Sequence, residues 1–299
     1  MTDYHWFTED GCKNVVIQFR CLGEIYSGRS QYARIDIVDT VEYGRMLFLD
    51  GIAQSAELDE FIYHENLVHP AMLCHPSPEK VCVIGGAEGA TIREVCKYPQ
   101  VAKIVMVDID EKLVRICQEK LGQWSAGAFD DHRLQLLFDD GRRYLEQTDE
   151  VFDVILVDLD DPTEGSPAVY LFTREFYQLV FNRLTPQGVA CFQGECLQPN
   201  RLKLHARMYN TLAAVFPWVV AYPYAMPSFH EVNAHILVSK DSDPRQIDLA
   251  ARLQEQPFTL RHLSGPVLKG LFAVPAYVEQ AYKEIRELIT DSDPHLYQA

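Results

Sequence analysis

The sequence lacks the features that mark membrane, secreted and metal-binding proteins. Its 299 residues contain no run of 18 or more apolar residues, so no membrane span is expected. The first residues have neither a basic start nor an apolar stretch, which argues against a secretory signal. The eight cysteines include no Cys-x-x-Cys pair, so we expect buried, reduced thiols in a cytoplasmic protein and no metal site.

Basic residues are also scarce. Lys and Arg number 27 against 43 Asp and Glu, which gives a formal net charge of −16. A negative field of this size repels nucleic acid and attracts cations, so no nucleic-acid partner is expected. An excess of carboxylates serves solubility in many proteins, and it also fits a small cationic substrate.

Two successive strand patterns divide the chain. Residues 15–57 alternate polar and apolar positions between turns, which predicts a small antiparallel domain within residues 1–65. From Lys80 onward strand-like and helical segments alternate, which predicts a Rossmann-like α/β domain over residues 66–299, with a doubly wound, mostly parallel sheet. Predicted strands cover residues 81–84, 104–107, 134–138, 154–157, 189–193, 219–222 and 235–238, and predicted helices cover 60–73, 91–98, 111–121, 174–184 and 202–216.

A glycine-rich turn follows the first of these parallel strands. Gly85-Gly86-Ala87-Glu88-Gly89 leads into a helix, and glycines at such a turn let a ligand approach the backbone closely. Asp108 ends the next strand, where an acidic side chain typically binds the two hydroxyls of a ribose. A tight turn and a surface acid would each be unremarkable alone, but together they favour an adenosine-containing ligand.

The negative charge of Glu88 indicates which adenosine-containing ligand the turn would bind. Its carboxylate would repel a pyrophosphate or the carboxylate of S-adenosylmethionine, and it would attract an ammonium group. Methyltransferases usually carry an acid two positions before the first loop glycine, and Val83 stands there in this chain. These features favour decarboxylated S-adenosylmethionine, which has a sulfonium and a terminal ammonium. It would be a co-substrate, and no cofactor is expected.

Two more acidic segments follow strands. Asp140-Gly141 comes after the third strand, where an acid can accept from the adenine amino group, although Asp-Gly is also a common turn pair. Asp158-Leu159-Asp160-Asp161-Pro162-Thr163-Glu164 places four carboxylates within seven residues after a buried strand. Such crowding is costly unless cations neutralise it. Nothing in the segment resembles a known hard-cation loop, which argues against a metal cluster. A solvated acidic loop is the other alternative, and it is less expected directly after a buried strand at the ligand end of the sheet.

These motifs resemble those of the spermidine synthase family of aminopropyltransferases. The segment 85–89 resembles its Gly-Gly-Gly-Asp/Glu-Gly loop, Asp108-Ile109-Asp110 its Glu/Asp-Ile-Asp strand end, and residues 158–162 its Asp-Ser-Ser-Asp-Pro segment. The resemblance runs from about residue 32 to about residue 239. Ala87 replaces the usual third glycine, and Ala33 stands where the family often has a glutamine.

Within the family the chain is most similar to thermospermine-forming members. His64 stands where spermidine synthases usually have glutamine, residues 161–167 resemble the thermospermine-type Asp-Pro-Ile-Glu-Gly-Gly-Pro, and Phe229 replaces a common substrate-contacting tyrosine. Gln193-Gly194-Glu195-Cys196 is more similar to spermidine synthases.

The resemblance implies a role for each candidate residue. Asp158 is expected to be the general base, and Tyr63 to orient the attacking amine. The expected donor-binding residues are Gly85, Gly86, Glu88, Asp108, Asp140 and Gly141. The expected acceptor-binding residues are Gln54, His64, Asp161, Glu164, Glu195 and Phe229.

The resemblance further implies an aminopropyl transfer to spermidine that gives thermospermine and methylthioadenosine. The alternatives are spermidine synthesis from putrescine, or use of another diamine such as agmatine. A methyltransferase and a non-catalytic polyamine-binding protein are the rivals from other classes. Family members are commonly dimers or tetramers joined partly through the N-terminal domain, so a homodimer or homotetramer is expected.

Overall fold

An antiparallel sheet opens the computed structural model, which describes residues 5–12, 15–162 and 166–295. Its five strands lie in sequence order: β1 (His5–Cys12), β2 (Val15–Arg29), β3 (Arg34–Thr40), β4 (Gly44–Leu49) and β5 (Ile52–Ala56). Both faces of β3 are buried. On one face Ile35 and Ile37 belong to the main hydrophobic core, and on the other Val38 packs with Phe48 in a separate cluster. The predicted antiparallel N-terminal sheet is confirmed.

The second sheet has seven strands in the order β11-β12-β10-β9-β6-β7-β8. Their bounds are β6 (Lys80–Gly85), β7 (Lys103–Asp108), β8 (Leu134–Phe138), β9 (Phe152–Asp158), β10 (Leu184–Cys196), β11 (Trp218–Met226) and β12 (Glu231–Ser239). Strands β6 to β10 run parallel, whereas β12 is antiparallel to β10 and β11. The mostly parallel sheet is therefore confirmed.

Helices cover both faces of this sheet, and alternate residues of a strand are therefore buried in two different hydrophobic clusters, one on each face. Val81 and Val83 belong to one cluster, and Cys82 and Ile84 belong to the other. The helices are α1 (Glu60–Cys74), α2 (Ala90–Cys96), α3 (Glu111–Lys120), α4 (Gly122–Ser125), α5 (Gly141–Gln147), α6 (Arg174–Arg183), α7 (Lys203–Ala213), α8 (Leu249–Gln254), α9 (Gly265–Gly270) and α10 (Ala276–Glu284). In the described ranges, no helix is both long and apolar enough to cross a bilayer.

Helix α1 links the two sheets, and the end of the chain holds it in place. Glu65 of α1 is 1% exposed and accepts three backbone hydrogen bonds, from Arg261 at 2.7 Å, His262 at 2.8 Å and Leu263 at 3.0 Å. The C-terminal residues therefore complete the core beside α1. The division of the chain at residue 65 remains a prediction, since β5 ends at Ala56 and residue 65 lies inside α1.

Candidate active site

A cavity of about 870 Å³ lies between the two sheets. It opens at the carboxyl ends of the parallel strands, where doubly wound sheets bind their ligands. Eleven of the described residues on its wall are Asp or Glu and two are Arg, so the cavity is strongly negative. The predicted site residues on this wall are Gln54, Tyr63, Gly85, Gly86, Glu88, Asp108, Asp140, Gly141, Asp158, Asp161, Glu195 and Phe229. Glu164 lies outside the described residues.

The Asp158 carboxylate is held from both sides. The Tyr63 hydroxyl donates to its Oδ1 at 2.7 Å, and the Thr91 hydroxyl donates to its Oδ2 at 2.5 Å. Tyr63 comes from α1 and Thr91 from the first turn of α2, so three elements converge on one side chain. The carboxylate is thereby fixed in orientation at the end of β9.

The glycine loop is packed directly against Asp158. The Gly86 N–H donates to the Asp158 carbonyl oxygen at 3.0 Å. A Cβ on Gly85, whose φ is +82°, would lie 2.0 Å from that same oxygen. Only glycine fits this position, because both the dihedral and the neighbouring backbone exclude a side chain.

Burial raises the pKa of both Asp158 and Tyr63. Burial raises the pKa of the Asp158 carboxyl, and the negative Glu88 raises it further, while His64 and the hydrogen bonds from Thr91 and Tyr63 oppose the shift. Burial together with the Asp158 charge also raises the pKa of the Tyr63 phenol, so this hydroxyl stays protonated. Asp158 is thus suited to take up a proton, with Tyr63 as a fixed donor beside it.

His64 is not among the residues that line the cavity, and its predicted contact with an acceptor remains a prediction. Its side chain is 2% exposed and sits behind Glu88, with Nε2 3.4 Å from the Glu88 Oε1. Its Nδ1 lies 2.9 Å from the Glu60 Oε2, and Arg93 holds Glu60 through both guanidinium nitrogens at 2.9 and 3.0 Å. The His64 ring packs against the Tyr63 ring, with centroids 5.0 Å apart, and Glu88 lies between it and the cavity.

The His64 ring is a cation in this setting. Both of its nitrogens face carboxylate oxygens, and each needs a proton to donate. Burial alone would lower the pKa of His64, but the hydrogen bonds and charges of Glu60 and Glu88 raise it to about 10. The imidazolium therefore positions Glu88 from behind, while the other side of this carboxylate stays open to the cavity.

The ends of β7 and β8 form one end of the cavity, where the sequence predicts a nucleoside. Asp108 accepts from the Asp110 N–H at 2.8 Å, and burial raises the pKa of Asp108 to about 7, helped by the charges of Asp110 and Asp160. A neighbour that donates hydroxyl hydrogens would stabilise this carboxylate. Asp140 accepts the N–H groups of Arg142 and Arg143 at the start of α5, so part of its capacity is used in capping that helix.

The opposite end holds a second group of carboxylates. Gln193 donates to the Asp161 Oδ1 at 3.2 Å and to the Glu195 Oε1 at 3.3 Å. Glu195 has a φ of +67° at a bulge in β10, which turns its side chain into the cavity. Burial raises the pKa of both Asp161 and Glu195, and Asp161 raises that of Glu195 further. A cation between the two would relieve this cost.

Comparison with known families decides the class of the protein. Residues 60–249 match a family model described as the Spermine/spermidine synthase domain, and residues 5–57 match one described as the Spermidine synthase tetramerisation domain. The chain belongs to the spermine/spermidine synthase family. It is therefore an aminopropyltransferase.

Several relatives of this family cover most of the chain. Polyamine aminopropyltransferase 2 of Pseudomonas aeruginosa is 42% identical over 283 residues, which cover 93% of this chain and 79% of the relative. Thermospermine synthase ACAULIS5 of Arabidopsis thaliana is 37% identical, with coverage of 97% and 87%. A crystal structure of a spermidine synthase in complex with the transition state analogue AdoDATO has a TM-score of 0.89 at 32% identity, with coverage of 94% and 96%.

Some residues at the site of this aminopropyltransferase escape prediction from the sequence. Thr91, which is buried behind Asp158, gives no signal except its place two residues after Gly89. Glu231 and Asn233 line the cavity. Their positions, alternating at the start of β12, are a signal that the sequence does contain, because residues two apart on a strand share a face.

Replacing His64 by glutamine is expected to make this aminopropyltransferase more sensitive to acid. The imidazolium lowers the pKa of Asp158, so its loss raises that pKa and protonates the base at a higher pH. We expect kcat/KM to stay within about threefold at pH 8.5 and to fall about tenfold at pH 6. The pH profile of kcat/KM checks this, with His132→Gln as control because that side chain is 91% exposed. An unchanged profile would remove His64 from this electrostatic role.

Proposed function

We propose that the chain transfers the aminopropyl group of decarboxylated S-adenosylmethionine to spermidine and releases thermospermine and methylthioadenosine. The observation that carries the proposal is that Glu88 and Asp158 line the same cavity as the glycine loop and Asp108. This arrangement supports a nucleoside sulfonium bound beside a carboxylate base.

The donor is proposed from the groups at the two ends of its molecule, the nucleoside and the terminal ammonium. Asp108 is suited to the ribose hydroxyls, while Asp140 and Gly141 lie on the adenine side. Glu88 presents its carboxylate to the terminal ammonium of the aminopropyl tail, backed by the His64 imidazolium. The solved spermidine synthase with the analogue AdoDATO has the same fold, which supports a donor of this class.

Asp158 is the proposed catalytic base. The nitrogen lone pair of the acceptor attacks the methylene carbon next to the sulfonium, a C–N bond forms, and the C–S electron pair passes to sulfur. The amine must lose a proton, since an alkyl ammonium resembles lysine with a pKa of about 10.4. The Asp158 carboxylate receives that proton, and the Tyr63 hydroxyl fixes its orientation.

Spermidine is proposed as acceptor because the wall beyond Asp158 carries further carboxylates. Asp161 and Glu195 line the cavity there, and their carboxylates are proposed to bind the ammonium groups that do not react. Phe229 lies on the same wall, where it can pack on methylene groups, and Gln54 provides an amide. If the aminobutyl end enters first, the aminopropyl amine attacks and thermospermine results. Glu164 remains a predicted acceptor contact.

A product assay tests the choice of acceptor. We supply decarboxylated S-adenosylmethionine with putrescine, agmatine or spermidine in turn, and separate the products by chromatography that resolves spermine from thermospermine. We expect kcat/KM for spermidine to exceed that for putrescine by about tenfold, because one more ammonium meets a carboxylate. Preference for putrescine would identify a spermidine synthase, and methyl transfer from S-adenosylmethionine would identify a methyltransferase.

A homodimer or homotetramer is proposed through the first sheet. The family model that matches residues 5–57 is named for tetramerisation. Large apolar side chains on β1 and β2 are exposed, which fits a surface that another subunit covers. These are Trp6, Val15, Val16 and Leu22.

A further inference from the structure

The cavity extends beyond Asp161 and Glu195 to residues without an assigned role. Glu231 and Asn233, at the start of β12, line its far wall, and Glu9 of β1 lies there too. Because β10 separates β12 from β9, which ends at Asp158, two strand spacings of roughly 10 Å in total lie between them. The far wall is therefore out of reach of a short diamine that reacts at Asp158.

Polar atoms at this wall lack partners. Asn233 is 7% exposed, and its side-chain amide makes no hydrogen bond within the described part of the chain. The Glu9 Oε2 also has no hydrogen-bond partner among the described residues, although almost none of its surface is accessible from the cavity. Buried polar groups are nearly always paired, so the unpaired amide of Asn233 on the cavity wall indicates a polar ligand there.

The charge at this wall indicates the sign of that ligand. Arg201 donates to the Glu231 Oε2 at 2.7 Å. One guanidinium cannot balance Glu231, Glu9 and Glu195 together. Burial raises the pKa of Glu231 in spite of Arg201, and burial also raises that of Glu9, with Glu231 adding to the shift. A further cation is the group that this wall lacks.

We propose that Glu231 and Asn233 form a distal ammonium subsite, which binds the terminal primary ammonium of the acceptor farthest from the attacking nitrogen. An ammonium group has three donors, and the Glu231 carboxylate and the Asn233 amide oxygen are the acceptors at this wall, with Glu9 adding negative charge behind them. The assignment deepens the proposed function and rests on it for the identity of the attacking end.

Chain length makes this subsite selective. Each bond of about 1.5 Å advances an extended chain by roughly 1.25 Å, so the nine bonds of spermidine span roughly 11 Å and the five of putrescine roughly 6 Å. Spermidine therefore reaches from Asp158 to the far wall, whereas putrescine ends near Asp161 and Glu195. Glu231 and Asn233 should then affect the longer amine only.

Binding calorimetry on the full chain, saturated with methylthioadenosine, tests the subsite without turnover. We expect Glu231→Gln to weaken spermidine binding about tenfold or more, because a charge-assisted hydrogen bond is lost, and to leave putrescine binding within twofold. Asn233→Ala removes an acceptor without changing charge, and should weaken spermidine about threefold, again with little effect on putrescine. Glu255→Gln, on an exposed residue of the C-terminal region, controls for the change in net charge.

The outcomes separate this inference from the proposed function. The subsite is overturned if both variants bind spermidine within twofold of the wild-type affinity. It is also overturned if a variant loses affinity for spermidine and putrescine equally, or if the wild-type protein does not bind spermidine. Product analysis of the wild-type protein decides independently whether spermidine is aminopropylated. Selective loss in Asn233→Ala supports the subsite even where Glu231→Gln folds poorly.

Discussion

Replacing Asp158 by asparagine should lower kcat by about a thousandfold while methylthioadenosine binds almost normally. Both carboxylate oxygens of Asp158 accept hydrogen bonds, one from Tyr63 and one from Thr91. Asparagine can accept only one of them, and its amide cannot receive a proton from the attacking amine. The loss should therefore fall on the chemical step.

Steady-state kinetics and calorimetry of methylthioadenosine binding check this expectation. Asp149→Asn, a change of the same charge on an exposed loop, is the matched control and should retain normal activity. Burial raises the pKa of Asp158, so the wild-type rate should fall with decreasing pH from a point above the ordinary aspartate range. Turnover of Asp158→Asn within tenfold of wild type would assign the base to another group.

Gly85→Ala should weaken methylthioadenosine binding about a hundredfold or more and lower the melting temperature. A Cβ there would lie 2.0 Å from the Asp158 carbonyl oxygen. Gly85 and Asp158 are partners in the pairing of β6 and β9, so neither backbone can move away without breaking the sheet. The clash is expected to cost about 2–4 kcal/mol of folding stability and to displace both the loop and Asp158, the proposed base.

Gly127→Ala provides a control for this substitution. Gly127 has a similar φ of +84°, but a Cβ added there meets nothing within 4 Å. It therefore reports the cost of a positive φ alone, about 1 kcal/mol. Thermal melts and calorimetric titration with methylthioadenosine compare the two variants. Equal behaviour of Gly85→Ala and Gly127→Ala would show that the close approach to Asp158 is unimportant.

The apolar core was accessible from the sequence because parallel strands are buried on both faces. Each predicted strand segment of the second sheet lies inside an observed strand. The apolar pattern does not reveal the start of β12, which begins at Glu231, four residues before the predicted start, because polar side chains there face the cavity. Helix α5 was missed because Asp140-Gly141 reads as a turn, whereas Asp140 caps that helix.

The site was predictable to the extent that its residues follow strand ends. Glu88, Asp108 and Asp158 share a cavity because the carboxyl ends of parallel strands lie at one edge of the sheet. The contact of His64 with Glu88 depends on how α1 packs against the loop before α2, which no local pattern specifies. The contact of His64 with Glu60 was accessible from the sequence, because residues four apart on a helix share a face.

The backbone amides of residues 261–263 have a consequence for catalysis. They satisfy the buried Glu65 carboxylate two positions from Tyr63 on the same helix. If that segment loosens, Glu65 becomes an uncompensated charge in the core, and the helix must shift or rotate to hydrate it. Substitutions in residues 261–263 are thus expected to change the orientation of a phenol that lies almost 200 positions earlier in the chain.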